Sequence, residues 1–333
     1  MDLSIIIPIF NEEANIPALY KRLRSVIDSM NGQTELIFVN DGSRDQSLLL
    51  VRELAEHDQR VRYIDFSRNF GQQNAVAAGL NLSTGLAAVI IDADLQDPPE
   101  LIPELHRKMQ EGYEVVYAKR RRRAGESIFK RITSKLFYRA MAKLTNISIP
   151  LDTGDFRIIS YKVVDALRQM PEHNRFLRGQ ISWIGYRQTA IEFDRAERAG
   201  GQTAWTYRMM LRLAIDCLTA YSEVPLKVAT VSGFFVSGIA FLVMMYAFWS
   251  RFFDNSYLPG WTSLMVSILF LGGVQLIAIG IIGEYISRIG ANVRHRPLYI
   301  ISDTNIPTAQ PQNPTPGPTY AAGSYQQPYT ISK

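Results

Sequence analysis

Short apolar segments recur through the first part of this 333-residue chain at residues 4–9, 36–40, 61–66, 87–91 and 115–118. Each is rich in Ile, Val or Phe and is bounded by polar or turn-forming residues, as strands are. Between them lie stretches with helical spacing, such as Ile16, Leu19, Leu23, Val26 and Ile27. Near-continuous apolar strands separated by helices predict an α/β fold, a mostly parallel sheet covered on both faces. Ligands of such sheets sit beyond the carboxyl ends of the strands, so chemically able residues should follow each strand.

Four consecutive segments meet that demand. Phe10-Asn11-Glu12-Glu13 follows the first, Asn40-Asp41-Gly42-Ser43 closes the second, Ser67-Arg68-Asn69 follows the third and Asp92-Ala93-Asp94 the fourth. Two carboxylates at i and i+2 of an extended backbone point the same way. Held together they repel, and a hard divalent cation relieves the repulsion while leaving positions for diphosphate oxygens. Asp92 and Asp94 are therefore the expected ligands of Mg2+ or Mn2+, with Gln96 as a neutral oxygen ligand. Asp97 reads as a helix N-cap with Pro98 at the first helical position. Asp41, on the same rim, suits the base or ribose of a nucleotide, whereas Ser43 serves a capping turn as readily as a ligand. Arg120, in the run Arg120 to Arg123 after the fifth segment, suits an anionic donor.

The remainder of the chain changes character. No charge occurs from Val228 to Trp249 or from Trp261 to Gly283, and each run approaches the ~20 residues that cross a bilayer. Trp249 and Trp261 flank the connection, where aromatic rings favour the headgroup zone. The connecting loop holds Arg251 and Asp254, while Arg208, Arg212, Lys227, Arg288, Arg294 and Arg296 lie at the other ends. The positive-inside bias puts the large domain and the C-terminus in the cytosol, on a cytoplasmic, multi-pass membrane protein. Residues 125–144 and 207–221 read as basic amphipathic helices suited to the interface. The expected organisation is a catalytic domain at 1–200, an acceptor loop and juxtamembrane helix at 201–226, transmembrane helices at 227–250 and 261–287, and a disordered tail at 303–333. A net charge of +5 without zinc-finger spacing or a basic region leading into heptads argues against nucleic acid. One cysteine, Cys217, excludes an internal disulfide.

Taken together, Ile7-Pro8-Ile9-Phe10-Asn11-Glu12, Val39-Asn40-Asp41-Gly42-Ser43, Asp92-Ala93-Asp94-Leu95-Gln96-Asp97 and Gly154-Asp155-Phe156-Arg157 resemble the motifs of family 2 glycosyltransferases with a GT-A fold. Residues 66–71, 267–273 and 283–286 extend the similarity to the polyprenyl-phosphate glycosyltransferases, in particular the bacterial bactoprenol glucosyltransferases. The resemblance runs from the first strand to Arg296. It implies that Pro8, Phe10, Glu12, Asp41 and Asp92 line the nucleotide pocket, and that Asp92, Asp94 and Gln96 hold the metal. It further implies that Arg120 approaches the donor sugar or diphosphate and that Arg131, Ser134 and Arg198 approach the lipid phosphate. Asp94, Asp155 and Arg120 carry the catalytic assignment. One departure is Ala204, where relatives carry a lysine.

The implied reaction transfers a hexose, with glucose from UDP-glucose first in order, to undecaprenyl or another polyprenyl phosphate at the cytosolic membrane face. GDP-mannose, UDP-GlcNAc and UDP-aminoarabinose are alternative donors. A phosphate acceptor is largely a dianion at neutral pH, since its second pKa is near ~6, so one inverting displacement needs no strong base. Asp155 then orients an arginine or donor hydroxyl, takes a proton, or pairs with Arg157 or Arg131. A processive polysaccharide synthase would need a multi-helix channel and a Gln-x-x-Arg-Trp motif, both missing from the sequence. A non-catalytic membrane scaffold would show neither donor hydrolysis nor transfer. A homo-oligomer is expected, a tetramer among the options, with Gly272, Gly273 and Gly280 permitting close helix packing.

Overall fold

The computed structural model describes residues 1–120, 153–170, 172, 175–193, 224–249, 260–294 and 296–307. Its centre is an eight-stranded sheet of β1 (Leu3–Ile9), β2 (Thr34–Asn40), β3 (Val61–Phe66), β4 (Ala87–Ile90), β5 (Val115–Arg120), β6 (Thr153–Ser160), β7 (Gln188–Phe193) and β8 (Ile301–Thr304). The strand order is β7-β5-β6-β4-β1-β2-β3-β8. β6 and β8 run against their neighbours and the remaining pairs are parallel. Parallel strands need crossover connections, and α1 (Ile16–Ser29), α2 (Ser47–His57), α3 (Gln72–Leu82) and α4 (Ile102–Gln110) lie in those that join β1 to β5 in sequence. α5 (Tyr161–Arg168) and α6 (Leu177–Ile184) follow β6.

Side chains alternate across the sheet and fill two apolar layers. Ile5, Ile7, Phe38 and Val89 pack under Leu19 and Leu23 of α1 on one face. Ile6, Ile37, Val39 and Ile90 pack against Ala75 and Val76 of α3 on the other. Pro8 sits inside β1 without breaking it. Ile91 N–H donates to Ile6 C=O, and the β1–β4 register ends at the Ile6–Ile90 pair. The main-chain groups of Ile6 and Pro8 point to the same side, where β4 has already diverged, so the missing proline N–H removes no ladder bond.

Four expectations about the sheet and its loops change. β4 stops at Ile90, so Asp92 and Asp94 stand on the turn beyond it rather than on extended strand. Asp97 caps nothing, because the 3-10 turn Pro99–Leu101 is preceded by Pro98 and lacks a side-chain cap. β5 runs on to Arg120, which is its last residue. The tail does not begin at Asp303: residues 301–304 form β8 on the edge of the sheet. Arg52 and the Tyr63 hydroxyl both meet Asp303, at 2.6 and 3.0 Å. The Asn305 side chain accepts from Tyr63 N–H and donates to Val61 C=O. These polar partners on β3 and α2 hold a segment whose composition alone reads as irregular. The sheet therefore recruits a strand from beyond residue 200.

α7 (Val224–Trp249) and α8 (Trp261–Val293) are long and apolar enough to cross a membrane by length and composition. α8 extends past the expected 287. The segments 125–144 and 207–221, Arg121 to Arg123 and Ala204 lie outside the described residues.

Gly79 lets α3 seat on the sheet: a Cβ there would collide with the Ile6 side chain and stand 3.3 Å from Val39 Cγ2. Alanine gains about 1 kcal/mol over glycine in a helix interior, against an overpacking cost of about 1–3 kcal/mol. Gly79→Val, with more atoms to fit, is expected to lower thermal stability and to reduce activity, since α3 carries two side chains of the site. Differential scanning fluorimetry and activity assays on the purified protein check both.

Candidate active site

The ends of β1 and β2 are stitched together by reciprocal bonds. Asn11 N–H donates to Ser43 Oγ, and Arg44 N–H donates to Asn11 Oδ1. Glu12 N–H donates to Ser47 Oγ, Glu13 N–H to Asp45 Oδ2, and Gln46 N–H to Glu13 Oε2. Asn11 adopts φ +56° to make this turn, a conformation that asparagine tolerates better than most residues. Phe10 is left with 45% of its surface exposed on the rim. Glu12 accepts from Asn15 Nδ2 at 2.6 Å, and Pro8 is buried beneath.

Asp41 is buried and accepts from Phe70 N–H at 2.6 Å and Gly71 N–H at 2.9 Å. Burial raises its pKa, and these two amides oppose the rise. Its carboxylate thus fastens the third rim loop, residues 67–71, to the second. Gly42 makes that approach possible. With φ +70°, its missing Cβ would lie 2.6 Å from the main chain of Arg68 and Asn69.

The acidic centre lies beyond β4. Asp94 Oδ1 accepts from Gln96 N–H at 3.1 Å, closing a turn through Leu95. Leu95 takes φ +60°, which costs a non-glycine residue roughly 1–2 kcal/mol. Asp92 Oδ1 accepts from Gln72 Nε2 at 2.7 Å, at the start of α3. Burial, then the carboxylates of Asp155, Asp97 and Asp94, push Asp92 up to about 8, while Arg178 pulls it down. Asp155, on β6, accepts from Arg178 Nε at 2.8 Å and stands 3.8 Å from Arg157 Nη2. Gln73 Nε2 lies 3.5 Å from Asp155 Oδ2, and Gln73 Oε1 accepts from Leu177 N–H at 3.2 Å. Arg157 is buried, which lowers its pKa to about 10, and it donates to Gly154 C=O.

Asp92, Asp94 and Asp155 therefore converge, Gln96 joins them through its main-chain N–H to Asp94, and Arg120 ends the strand adjoining β6. Arg131, Ser134 and Arg198 lie outside the described residues. Three contributors were not anticipated from sequence: Gln72, Gln73 and Arg178. The first two open the helix after the third rim loop, a place the rim pattern could have flagged. Arg178 follows Asp155 by 23 positions with no local motif to connect them.

The donor set fits a hard cation. Gln96 is buried, and its Oε1 has no hydrogen-bond partner among the described residues. Two carboxylates and an amide oxygen are oxygen ligands of the kind Mg2+ accepts alongside substrate phosphates. Among the described residues, no group of three or more His, Cys, Asp or Glu is placed to hold a metal ion.

Comparison with known proteins bears on the family. The sequence pattern of "Glycosyl transferase family 2" matches residues 4–168, and that of "GtrB C-terminal hairpin" matches residues 224–289. The chain is 48% identical to the uncharacterized glycosyltransferase YkcC of Bacillus subtilis, over 90% of this chain and 92% of that one. It is 41% identical to the bactoprenol glucosyl transferase of Shigella phage SfV, over 91% and 99%. A prophage bactoprenol glucosyl transferase homolog of Escherichia coli is 40% identical over 90% and 98%.

The shift at Asp92 sets a pH dependence. Its native pKa lies above the unfolded value near ~3.9. Between these values the native state keeps a proton that the unfolded chain has released, so stability falls as pH rises. Asp92→Asn removes this penalty. In metal-free buffer the variant is expected to melt higher than the parent at pH 8, with the gap closing as pH approaches 4, while activity is lost. Thermal unfolding of both proteins across that range checks it.

Proposed function

The chain belongs to glycosyl transferase family 2 and is a glycosyltransferase; from that premise we infer that it moves a hexose from a nucleotide-sugar to a polyprenyl phosphate at the cytosolic face of a membrane. Glucose from UDP-glucose is the first-choice donor, in line with the names of the bactoprenol glucosyl transferases it resembles.

The observation that carries the lipid acceptor is the direction of β8. Tyr299 follows the end of α8 at Val293 by six residues, a reach of at most about 20 Å. β8 then runs antiparallel to β3, starting at the Ile301–Phe66 pair. Phe66 is the rim end of β3. The chain therefore meets the sheet at its catalytic edge and leaves towards the opposite one. With α7 and α8 spanning the bilayer, that edge is held near the membrane surface, where a lipid phosphate would be presented. The basic residues at both helix ends on this side favour the cytosol.

In this function Phe10 offers its exposed ring to the nucleotide base, with Glu12 and Asp41 ordering the loops around it. Asp92, Asp94 and Gln96 would hold Mg2+ or Mn2+, whose charge, when bound, offsets that of the departing diphosphate. Arg120 at the end of β5 meets the donor diphosphate. Arg131, Ser134 and Arg198 receive the acceptor phosphate. That phosphate arrives deprotonated, so the chain positions and screens charge rather than removing a proton. Its oxygen attacks the sugar C1, the bond to the nucleoside diphosphate breaks, and the anomeric centre inverts in one step.

Membranes supplemented with undecaprenyl phosphate and a panel of labelled nucleotide-sugars test this. Label from UDP-glucose is expected in the lipid fraction, EDTA should suppress the transfer, and Mg2+ or Mn2+ should restore it. Asp94→Asn should lower kcat by about 100-fold or more, the scale of losing a charge-stabilising group. Transfer to water or to a soluble sugar, with none to lipid from any donor, would refute the acceptor.

Asp155→Asn separates two roles. Loss of the charge facing Arg178 should reduce kcat by about 10- to 100-fold while leaving the pH–rate profile unchanged in shape. Loss of the acidic limb, where the rate falls as a carboxylate base takes up its proton, would instead mark Asp155 as a proton acceptor.

A further inference from the structure

β8 attaches to the catalytic domain in two distinct ways. Its far end is held by polar groups: Arg52 to Asp303, the Tyr63 hydroxyl to Asp303, and Thr304 Oγ1 to Tyr63 C=O at 2.6 Å. Its near end is held by aromatic packing at the rim. The Tyr299 ring stacks on Phe66 with centroids 5.0 Å apart and planes 12° from parallel. Phe66 in turn meets Phe70 edge-on, at 5.7 Å and 89°. The Tyr299 hydroxyl accepts from Asn81 Nδ2 at 2.9 Å, and Ser67 N–H donates to Ile300 C=O at 3.0 Å.

The Phe70 end of this aromatic chain is where the site begins. Phe70 and Gly71 supply the amides that Asp41 holds, and Gln72 and Gln73 follow at once with their contacts to Asp92 and Asp155. Phe70 also carries the Arg68 guanidinium 4.2 Å above its ring. A displaced Phe70 would therefore move the Asp41 clasp and the first turn of α3 together. The aromatic faces give this support direction as well as area, because stacked and edge-on pairs favour particular ring orientations.

We propose that Tyr299 is a positioning residue for the nucleotide-sugar site: through Phe66 and Phe70 it sets the loop 67–71, and so ties donor binding to the segment that leaves the second membrane helix. The inference rests on the rim being the donor site, as argued above. It assigns the post-membrane segment a part in the reaction in addition to its part as an edge strand. Membrane anchoring and donor binding then share one structural element.

Four variants in the full-length, membrane-reconstituted protein test it. Tyr299→Ala removes the stack, and Tyr299→Leu keeps apolar volume without a ring should the alanine variant fail to fold. Tyr299→Phe keeps the stack and loses the Asn81 bond. Arg52→Ala loosens the far end of β8 by removing its ion pair with Asp303. The expected result is a donor KM raised about 10-fold, a modest loss for misplaced binding groups, in Tyr299→Ala or Tyr299→Leu. Acceptor KM should stay within two-fold, and Tyr299→Phe and Arg52→Ala should stay within two-fold of the parent on both. Hydrogen exchange gives a readout independent of donor identity: the Phe70 and Gly71 amides should exchange faster in Tyr299→Ala or Tyr299→Leu, with β1 unchanged. Equal effects of Tyr299→Ala and Arg52→Ala, equal shifts in donor and acceptor KM, or unaltered exchange at residues 70–71 would overturn the proposal. A parent enzyme without transfer from any donor would instead count against the proposed function and leave the exchange result to judge Tyr299.

Discussion

The crowding of carboxylates beyond β4 is the constraint from which the rest of the site follows. Asp92 faces Asp94, Asp97 and Asp155, and their mutual repulsion together with burial drives it towards the protonated state. Such a cluster persists only if other elements bring compensation to it. α3 brings the Gln72 amide and α6 brings the Arg178 guanidinium. Gly79 allows α3 to lie close enough to the sheet to do so. The left-handed Leu95 is a further cost accepted at the same place, and strain of that kind gathers where geometry serves a ligand. A bound cation would relieve the repulsion that the free protein tolerates.

Those elements differ in how well the sequence announced them. Central parallel strands are buried on both faces, so their apolar runs stand out, and the positions just beyond them follow from topology. That is why the rim positions of Asp41, Asp92, Asp94 and Gln96 were legible in the sequence. Arg178 was not, because its meeting with Asp155 is made by the packing of α6 on α5, which itself lies against β6 and α3, rather than by spacing along the chain. Asp97-Pro98-Pro99 matched a helix-cap pattern, yet the helical turn starts one residue later and Asp97 turns inward to the acidic group. The helix-cap preference is not expressed there, and the buried Asp97 adds to the charge that raises the Asp92 pKa. β8 was hidden for the opposite reason. Its four residues carry little apolar signal, and the bonds that hold it come from Arg52 and Tyr63, far away in sequence.

β8 also changes how the two halves of the molecule relate. Returning to the sheet edge adds a second connection between the domain and the apolar hairpin, and the strand enters at the rim end of β3, beside Phe66. Under the proposed function, with α7 and α8 in a bilayer, an antiparallel strand entering there would hold the rim towards the membrane, and a parallel one would turn it away. The placement of a few residues after α8 thus bears on which acceptors can reach Asp155 and Asp92.

Asp155 gains its meaning from the same geometry. It joins β6 to α6 through Arg178 and lies beside Gln73, which itself bonds the first amide of α6. Three elements that have no covalent proximity therefore meet at one carboxylate, directly against Asp92. An acceptor hydroxyl would need a base at this point, and a carboxylate engaged by a guanidinium would have to break that pairing to serve. A phosphate acceptor makes no such demand, because it arrives with its charge already formed. What it does demand is a scaffold that keeps two anions, donor and acceptor, aligned against their repulsion. Under the proposed function, a junction of Asp155, Arg178 and Gln73 would serve that task through rigidity and opposed charge rather than through proton transfer.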